Sequence, residues 1–280
     1  MNELFISIWI MFIGSIIIVF VVKPNYFIAD LINKSNYIKM SDIMKTEKTN
    51  CSKIVLFFHI CTINDWKNIV KEQMDIIYSS NLYDKLENIF VGCNGTSCDT
   101  ELSKFFINEP KVSFVALRPN VRTFENETLN ALLDYAKECR DKREEAHICY
   151  IHSKGVTHTN NMQSYWRKYM MYWNVTRHEV CLSVLNRGYN TIGTQFLSVP
   201  KKHYSGNFFW TTSSYASRLD GIRHTENRYN AEHLILSSAV PQKHVAIERS
   251  WFYWNRIVDL SDSYFSVSSK SKETPLLQLI

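Results

Sequence analysis

The stretch Lys53-Ile-Val-Leu-Phe-Phe-His-Ile60 is a continuous apolar run. Such a run predicts a strand buried on both faces, because a strand with one solvated face alternates apolar and polar residues. Trp66–Tyr78 follows with the apolar spacing of a helix, and further strands are predicted at 86–91, 112–117 and 147–151. Strands that alternate with helices predict an α/β fold with a mostly parallel sheet flanked by helices.

The remainder of the chain continues this alternation. Apolar stripes predict helices over 123–140, 163–187 and 228–239, and apolar runs predict strands over 189–197 and 244–251. In open α/β sheets the ligand binds beyond the carboxyl ends of the strands. Polar residues that follow a buried strand are therefore the first candidates for a functional site.

The composition limits what kind of protein this chain is. Its 280 residues, 45% of them hydrophobic, suffice for one large domain or two small domains with a substantial core. The net charge of +5 is mild and scattered, which argues against nucleic acid as a partner and suits an anionic small molecule. The sequence has no Gly-rich dinucleotide or P-loop motif and no Gly-x-Ser-x-Gly, so those sites are not expected.

The seven cysteines are an odd number and fall mostly in apolar segments, which favours buried free thiols over a disulfide framework. Cys93 and Cys98 flank a short polar turn and can pair in an oxidising lumen. Zinc is not expected, because the sequence has no Cys-x-x-Cys pair.

Leu4–Val22 carries no charged residue and, as a helix, covers about 30 Å, the thickness of a bilayer core. We predict a single-pass membrane anchor over 1–23, a stem over 24–52, a globular α/β domain over 53–265 and a flexible tail over 266–280. A cleaved signal peptide is the alternative. Lysines after the anchor favour a cytosolic domain, whereas the Asn-x-Ser/Thr sequons would be used only in a lumen.

Three polar residues follow the fourth predicted strand. His152, Ser153 and Lys154 bring an imidazole, a hydroxyl and an ammonium to the end of that strand. Lysine is a natural point-charge partner for phosphate. Arg167, near the start of the next predicted helix, is a candidate for a second positive charge in the same pocket. The alternative is that both cationic side chains are simply solvated.

The segment from His203 to Trp210 (HYSGNFFW) sets a polar group directly against aromatic residues. His203, Ser205 and Asn207 can exchange hydrogen bonds with sugar hydroxyls, and Gly206 lets a ligand lie against the backbone. We expect Trp210 to contact the sugar or the acceptor together with these polar groups, and the alternative for it and for the two phenylalanines before it is that they fill the core.

Glu232 lies just ahead of the apolar run Leu234–Leu236. A carboxylate in this setting suits the base that deprotonates an incoming hydroxyl, or a group that stabilises oxocarbenium character. The alternative is a glutamate in the first helical turn that interacts favourably with the helix dipole.

Taken in order, these segments resemble a glycosyltransferase family with bacterial, algal and large-DNA-virus members, related to the rhamnan-synthesis type. The resemblance covers roughly residues 53–255. It rests on Tyr150–Val156, Trp166-Arg167, Gly188–Gly193, His203–Trp210, Tyr215, Arg228 and Ala231-Glu232.

The resemblance implies a GT-A fold, a nucleotide-sugar donor and a glycan or glycoprotein acceptor. Most GT-A enzymes hold Mn²⁺ or Mg²⁺ through an Asp-x-Asp motif at the end of the fourth strand, and this chain has His152-Ser153-Lys154 there. We therefore expect Lys154, with Arg167, to neutralise the leaving diphosphate in place of a metal. Dependence on a divalent metal is the alternative.

Two other functions remain open. A carbohydrate-binding protein without activity would keep the same fold and would not need Glu232 as a catalytic residue. A glycoside or phosphoester hydrolase would need a second carboxylate to work with Glu232. Asp220 and Glu226 are the candidates, and both fall in predicted loops.

Overall fold

The computed structural model describes residues 53–157, 161–223, 227, 229–236, 239–240 and 243–247, and the backbone of four short strands outside them. The chain divides into two compact units, Met1–Tyr37 and Ile38–Ile280.

The first unit contains two antiparallel strands, β1 (Ser7–Ile13) and β2 (Ile16–Val22). Within the part of the chain that the structure describes, no helix has both the length and the apolar character needed to cross a bilayer. The anchor expected over Leu4–Val22 stays a prediction.

The second unit is built on a central sheet. Its strands, and the short strands around it, are β3 (Tyr37–Lys39), β4 (Lys53–Cys61), β5 (Asn88–Asn94), β6 (Val112–Arg118), β7 (Ala146–His152), β8 (Thr191–Thr194), β9 (Phe196–Leu197), β10 (His203–Tyr204), β11 (Phe209–Thr212), β12 (His244–Ile247) and β13 (Leu276–Leu279).

Seven central strands follow the spatial order β12-β8-β11-β7-β4-β5-β6. β4 runs parallel to β5 and β7, β5 runs parallel to β6, and β12 runs parallel to β8. Only β11 among these seven is antiparallel, to both β7 and β8. The predicted α/β fold with a mostly parallel sheet flanked by helices is therefore confirmed.

The helices connect these strands and cover the sheet. They are α1 (Trp66–Ser79), α2 (Leu82–Lys85), α3 (Thr100–Phe105), α4 (Asn126–Asp141), α5 (Asn161–Met171), α6 (His178–Asn186), α7 (Ser213–Ala216) and α8 (Tyr229–His233). A 3-10 turn at Val121–Thr123 precedes α4, and a π-helical segment at Tyr172–Thr176 joins α5 to α6.

The core has two halves, one on each face of the sheet. Leu56 and Phe58 of β4 belong to the half that α1 covers, and Val55 and Phe57 belong to the half that α4 covers. Successive residues of a strand point to opposite faces. The continuous apolar run of β4 is therefore explained by burial on both sides.

The helix predicted over 163–187 is interrupted at the π-helical segment. Asn174 lies there, fully buried, and its Nδ2 donates to the Met170 carbonyl at 2.9 Å. The Asn174 carbonyl accepts a hydrogen bond from Trp210 Nε1 at 2.7 Å. Satisfying these buried polar groups fixes the irregular turn.

Cys93 and Cys98 form a disulfide, and Cys139, Cys149 and Cys181 are buried free thiols. β13 lies within the segment expected to be a flexible tail and pairs antiparallel with β12. The rest of 266–280 and most of the expected stem at 24–52 lie outside the described residues.

His244 of β12 is buried, and within the described structure neither of its ring nitrogens has a hydrogen-bond partner. We expect His244→Phe to raise the free energy of unfolding at pH 8 by about 1–2 kcal/mol, because the cost of the unpaired nitrogens is removed. The ring contact with Phe196, at a centroid distance of 5.6 Å, would remain. Urea denaturation measures the difference.

The same variant tests the pH dependence of stability. Burial lowers the pKa of His244 to about 4, from an ordinary value of 6.5. The folded state therefore binds fewer protons than the unfolded state between these values, and stability is lost as pH falls through them. His244→Phe should lose less stability than the parent between pH 6.5 and pH 4. Parallel losses in the two proteins would contradict this assignment.

Candidate functional site

The carboxyl ends of β4 and β7 lie side by side, with His59 in register with His152. Ser153 follows β7 and joins the two strand ends: its backbone N–H donates to the His59 carbonyl, and its Oγ accepts from the Cys61 N–H, both at 2.9 Å. Ser153 is buried and hydrogen-bonded. Its hydroxyl thus has a structural partner before any ligand arrives.

The turn at Ser205–Asn207 lies against the end of β7. His152 Nε2 donates to the Gly206 carbonyl at 2.9 Å. This contact joins the two candidate segments of the sequence, His152–Lys154 at the end of β7 and His203–Trp210, which leads into β11.

The turn has an unusual backbone. Gly206 has φ +87° and Asn207 has φ +57°, so both residues occupy the left-handed region. A Cβ atom on residue 206 would lie 2.5 Å from Sδ of the buried Met170. A larger residue here would therefore take up a positive φ and would require the buried Met170 side chain to move.

Glu125 is a component of the site that the sequence reasoning missed. It stands immediately before α4, and Asn94, the last residue of β5, donates to the carbonyls of Val121 and Phe124 in the loop that precedes it. These bonds fix the start of α4 at the edge where the parallel strands end. In the sequence Glu125 looks like an ordinary acid in a helical first turn, and no local pattern distinguishes it.

The Glu125 carboxylate gathers donors from two elements. Its Oε2 accepts from the Tyr150 hydroxyl at 2.9 Å and from Asn207 Nδ2 at 2.7 Å, and its Oε1 lies 3.6 Å from His152 Nδ1. Burial by itself would raise the pKa of Glu125, but the positive charge of His152 and His59 in their protonated forms and the two donated hydrogen bonds lower that pKa. The two accepted hydrogen bonds do not depend on the charge of the histidines, and they favour the ionised carboxylate.

The histidines at this edge are held mostly neutral. Burial lowers the pKa of His152, with Lys154 adding to the effect and Glu125 opposing it. Burial also lowers the pKa of His59 to about 4, and its Nδ1 lies 2.7 Å from the hydroxyl of Thr128.

The two basic residues of this region have different surroundings. Lys154 Nζ lies 4.0 Å from the centroid of the Trp166 ring, which is a cation–π contact. Arg167 is buried and pairs with Glu72, its Nη2 lying 3.1 Å from Oε2, while its Nη1 donates to the Lys154 carbonyl at 2.7 Å. The expected contact of Arg167 with a diphosphate is corrected, because its guanidinium is already bonded to Glu72 and to the Lys154 carbonyl. Arg167 thus fixes the backbone of Lys154.

His203 and Glu232 form a second pair. His203 is buried, and its Nδ1 donates to the Lys201 carbonyl at 2.8 Å, which turns Nε2 toward Glu232 Oε2 at 4.0 Å. The ring of His233 lies 5.4 Å from that of His203. Within the described part of the chain, the Glu232 carboxylate receives no hydrogen bond. It is the carboxylate of this region that remains available to a ligand.

The expectation that Trp210 contacts a sugar is corrected. Trp210 is fully buried in β11, and its Nε1 donates to a backbone carbonyl in the π-helical segment. Phe208 is buried as well and packs edge-on against the His152 ring at 5.1 Å. Ser205, which is only partly buried, remains the most open side chain of the turn.

A divalent metal does not fit the segment His152–Lys154. Lys154 is a cation, and Ser153 is buried and bonded to Cys61. In the described residues, no group of three or more His, Cys, Asp or Glu side chains is arranged to hold a metal ion.

The model of one protein family, described as a domain of unknown function (DUF8361), matches residues 57–252. This range covers more than half of the chain and contains every residue of the site described above. No curated protein matches the chain.

The turn can be tested with two glycine substitutions. Gly206→Ala and Gly188→Ala both place a side chain at a positive φ, of 87° and 82°, and each should cost about 1 kcal/mol for that reason. Only residue 206 is crowded, since nothing lies within 4 Å of a Cβ on residue 188. We expect Gly206→Ala to lose a further ~1–3 kcal/mol in urea denaturation. Equal losses would refute the close packing of the turn.

Proposed function

We propose that this chain, which belongs to the DUF8361 family, is a glycosyltransferase that moves a sugar from a nucleotide-sugar donor to a glycan or glycoprotein acceptor. The observation that carries the proposal is the contact between His152 and the Gly206 carbonyl. It joins a segment suited to phosphate and a segment suited to sugar in one site, and both segments belong to the resemblance noted in the sequence.

The sheet supports the proposal. A mostly parallel sheet with helices on both faces is compatible with the GT-A fold that the resemblance implies. In open α/β sheets the ligand binds beyond the carboxyl ends of the strands. His152, Lys154 and the Ser205–Asn207 turn all lie at that edge.

In the proposed reaction Lys154 neutralises the leaving nucleoside diphosphate. Its ammonium is held over the Trp166 ring, and its backbone is fixed by the buried Arg167. A prepositioned cation stabilises the negative charge that develops on the leaving oxygen as the glycosidic bond to the donor breaks.

Glu232 is the proposed base. It accepts the proton of the acceptor hydroxyl as that oxygen attacks the sugar. Its neighbour His203 is fixed by the Lys201 carbonyl, so the pair has a defined geometry. Ser205 and the backbone of Gly206 are the groups of the turn that remain to contact the sugar, because the amide nitrogen of Asn207 is bonded to Glu125.

A hydrolase needs two cooperating carboxylates, and Glu125 supplies a second one next to His152. In such enzymes one carboxylic acid must donate a proton to the leaving group. The lowered pKa of Glu125 and its two accepted hydrogen bonds make it unsuited to that role. Asp220 is exposed, and Glu226 lies outside the described residues. Transfer is therefore favoured over hydrolysis.

The proposal includes the membrane anchor over Leu4–Val22. The disulfide between Cys93 and Cys98 supports an oxidising compartment for the domain that follows, since disulfides persist in lumenal and extracellular proteins.

The full chain, offered a panel of UDP- and GDP-sugars, should hydrolyse one of them slowly in the absence of acceptor, and EDTA should leave the rate unchanged. Lys154→Ala should lower turnover by ~10²–10³-fold, because it removes the charge opposite the leaving group. Lys71→Ala, on the exposed face of α1, is the matched control. Loss of turnover in EDTA, with recovery in Mn²⁺, would overturn the role of Lys154.

Glu232→Gln should lower transfer by ~10²–10⁴-fold, because the amide cannot take up the proton of the acceptor. Glu101→Gln, a change of the same kind in an exposed ion pair with Lys67, should have no effect. Release of labelled sugar to acceptor measures transfer. Full transfer by Glu232→Gln would remove it as the base, and a parent protein that binds a glycan but turns over no donor would favour the carbohydrate-binding alternative.

A further inference from the structure

Glu125 is the most heavily engaged carboxylate at the edge of the sheet where the proposed site lies. Its oxygens face Tyr150 and His152 of β7 and Asn207 of the turn, at 2.9, 3.6 and 2.7 Å. The side chain is 18% exposed. A charged group is kept in such a place only when its neighbours satisfy it.

The His152 ring extends this arrangement to a second residue of the turn. The Gly206 carbonyl can only accept, so His152 Nε2 carries a hydrogen, and the neutral ring then presents the lone pair of Nδ1 toward Glu125. The Nδ1 lone pair and the carboxylate are both acceptors, so no hydrogen bond joins them at 3.6 Å, and His152 holds Gly206 independently of Glu125. Two successive residues of the turn are therefore held by neighbouring groups, Asn207 by Glu125 and Gly206 by His152.

The turn needs such support because its conformation is unfavourable. Asn207 has a positive φ although it is not glycine, and it follows Gly206, whose φ is also positive. Backbones of this kind persist only where the surroundings fix them. Ser205 and the Gly206 backbone are the groups that meet the sugar in the proposed function.

We propose that Glu125 is a positioning residue, whose carboxylate accepts directly from Tyr150 of β7 and from Asn207 of the turn and so forms a clamp that sets the Ser205–Asn207 turn against the sugar. The assignment of the turn to a sugar rests on the proposed function. The clamp itself rests on the contacts of Glu125. Glu125 neither attacks the sugar nor transfers a proton.

Two substitutions separate positioning from chemistry. In Glu125→Gln the side-chain oxygen can still accept from both Asn207 and Tyr150, with the amide N–H₂ facing the Nδ1 lone pair of neutral His152, so the clamp closes without charge. In Glu125→Ala the clamp is lost. We expect kcat/KM to fall by no more than ~10-fold in Glu125→Gln and by ~100-fold in Glu125→Ala, because misplacement by about 1 Å costs this much. Equal large losses in both variants, or no loss in either, would overturn the proposal.

Asn207→Gly provides a second route if Glu125→Ala fails to fold. Glycine accepts the positive φ of residue 207, so the backbone is tolerated while the direct arm of the clamp is removed. We expect a raised KM for the donor sugar with a smaller change in kcat. An unchanged KM would count against the clamp.

A measurement that needs no activity completes the test. His152 is surrounded by Glu125, Glu232, Lys154 and His59. Removing the negative charge in Glu125→Gln should lower the pKa of His152 further, as followed by NMR titration with the signal assigned through His152→Asn. Glu179→Gln, a surface change on α6, should leave it in place. An unmoved titration would refute the contact. A moved titration in a chain that turns over no donor would retain the clamp and reject the proposed function.

Discussion

Burial of β4 on both faces is the constraint on which the rest of the structure depends. Its successive side chains enter two different halves of the core, one under α1 and one under α4. Parallel strands are joined by crossover connections that return the chain to the same end of the sheet, and the helices of these connections cover both faces. β5 and β7 accordingly run parallel to β4. The carboxyl ends of these strands meet at one edge, where His59, Asn94 and His152 lie.

The antiparallel direction of β11 brings the second half of the site to the same edge. Phe209, at its start, pairs with Tyr150, and Thr212, at its end, pairs with His147. The residues that precede β11 therefore lie where β7 ends, although they are distant from it in sequence. A parallel β11 would have carried the Ser205–Asn207 turn to the opposite end of the sheet. One reversed strand among seven thus determines that His152 and Gly206 touch.

The elements governed by local apolar pattern could be predicted from the sequence, and the partnerships governed by topology could not. The run at Lys53–Ile60 predicts β4 to within one residue, because both of its faces are apolar. The sugar contact predicted for Trp210 is wrong, because a tryptophan beside polar residues in the sequence is typical both of a binding site and of a buried strand. Arg167 and Glu125 depend on partners far along the chain, at Glu72 and Asn207, and no spacing rule links such residues.

Two carboxylates at one edge of the sheet differ because of what surrounds them. Glu125 accepts two hydrogen bonds and faces an imidazole. Its carboxylate is therefore satisfied by its neighbours, and its pKa is lowered. Glu232 receives no hydrogen bond within the described residues, and its ion-pair partner there is the Nε2 of His203, at 4.0 Å. A carboxylate that already holds several donors gains little by taking a proton, whereas one without donors can accept a proton or a ligand hydroxyl. The surroundings of the two acids therefore leave Glu125 the more firmly held carboxylate and Glu232 the less engaged one.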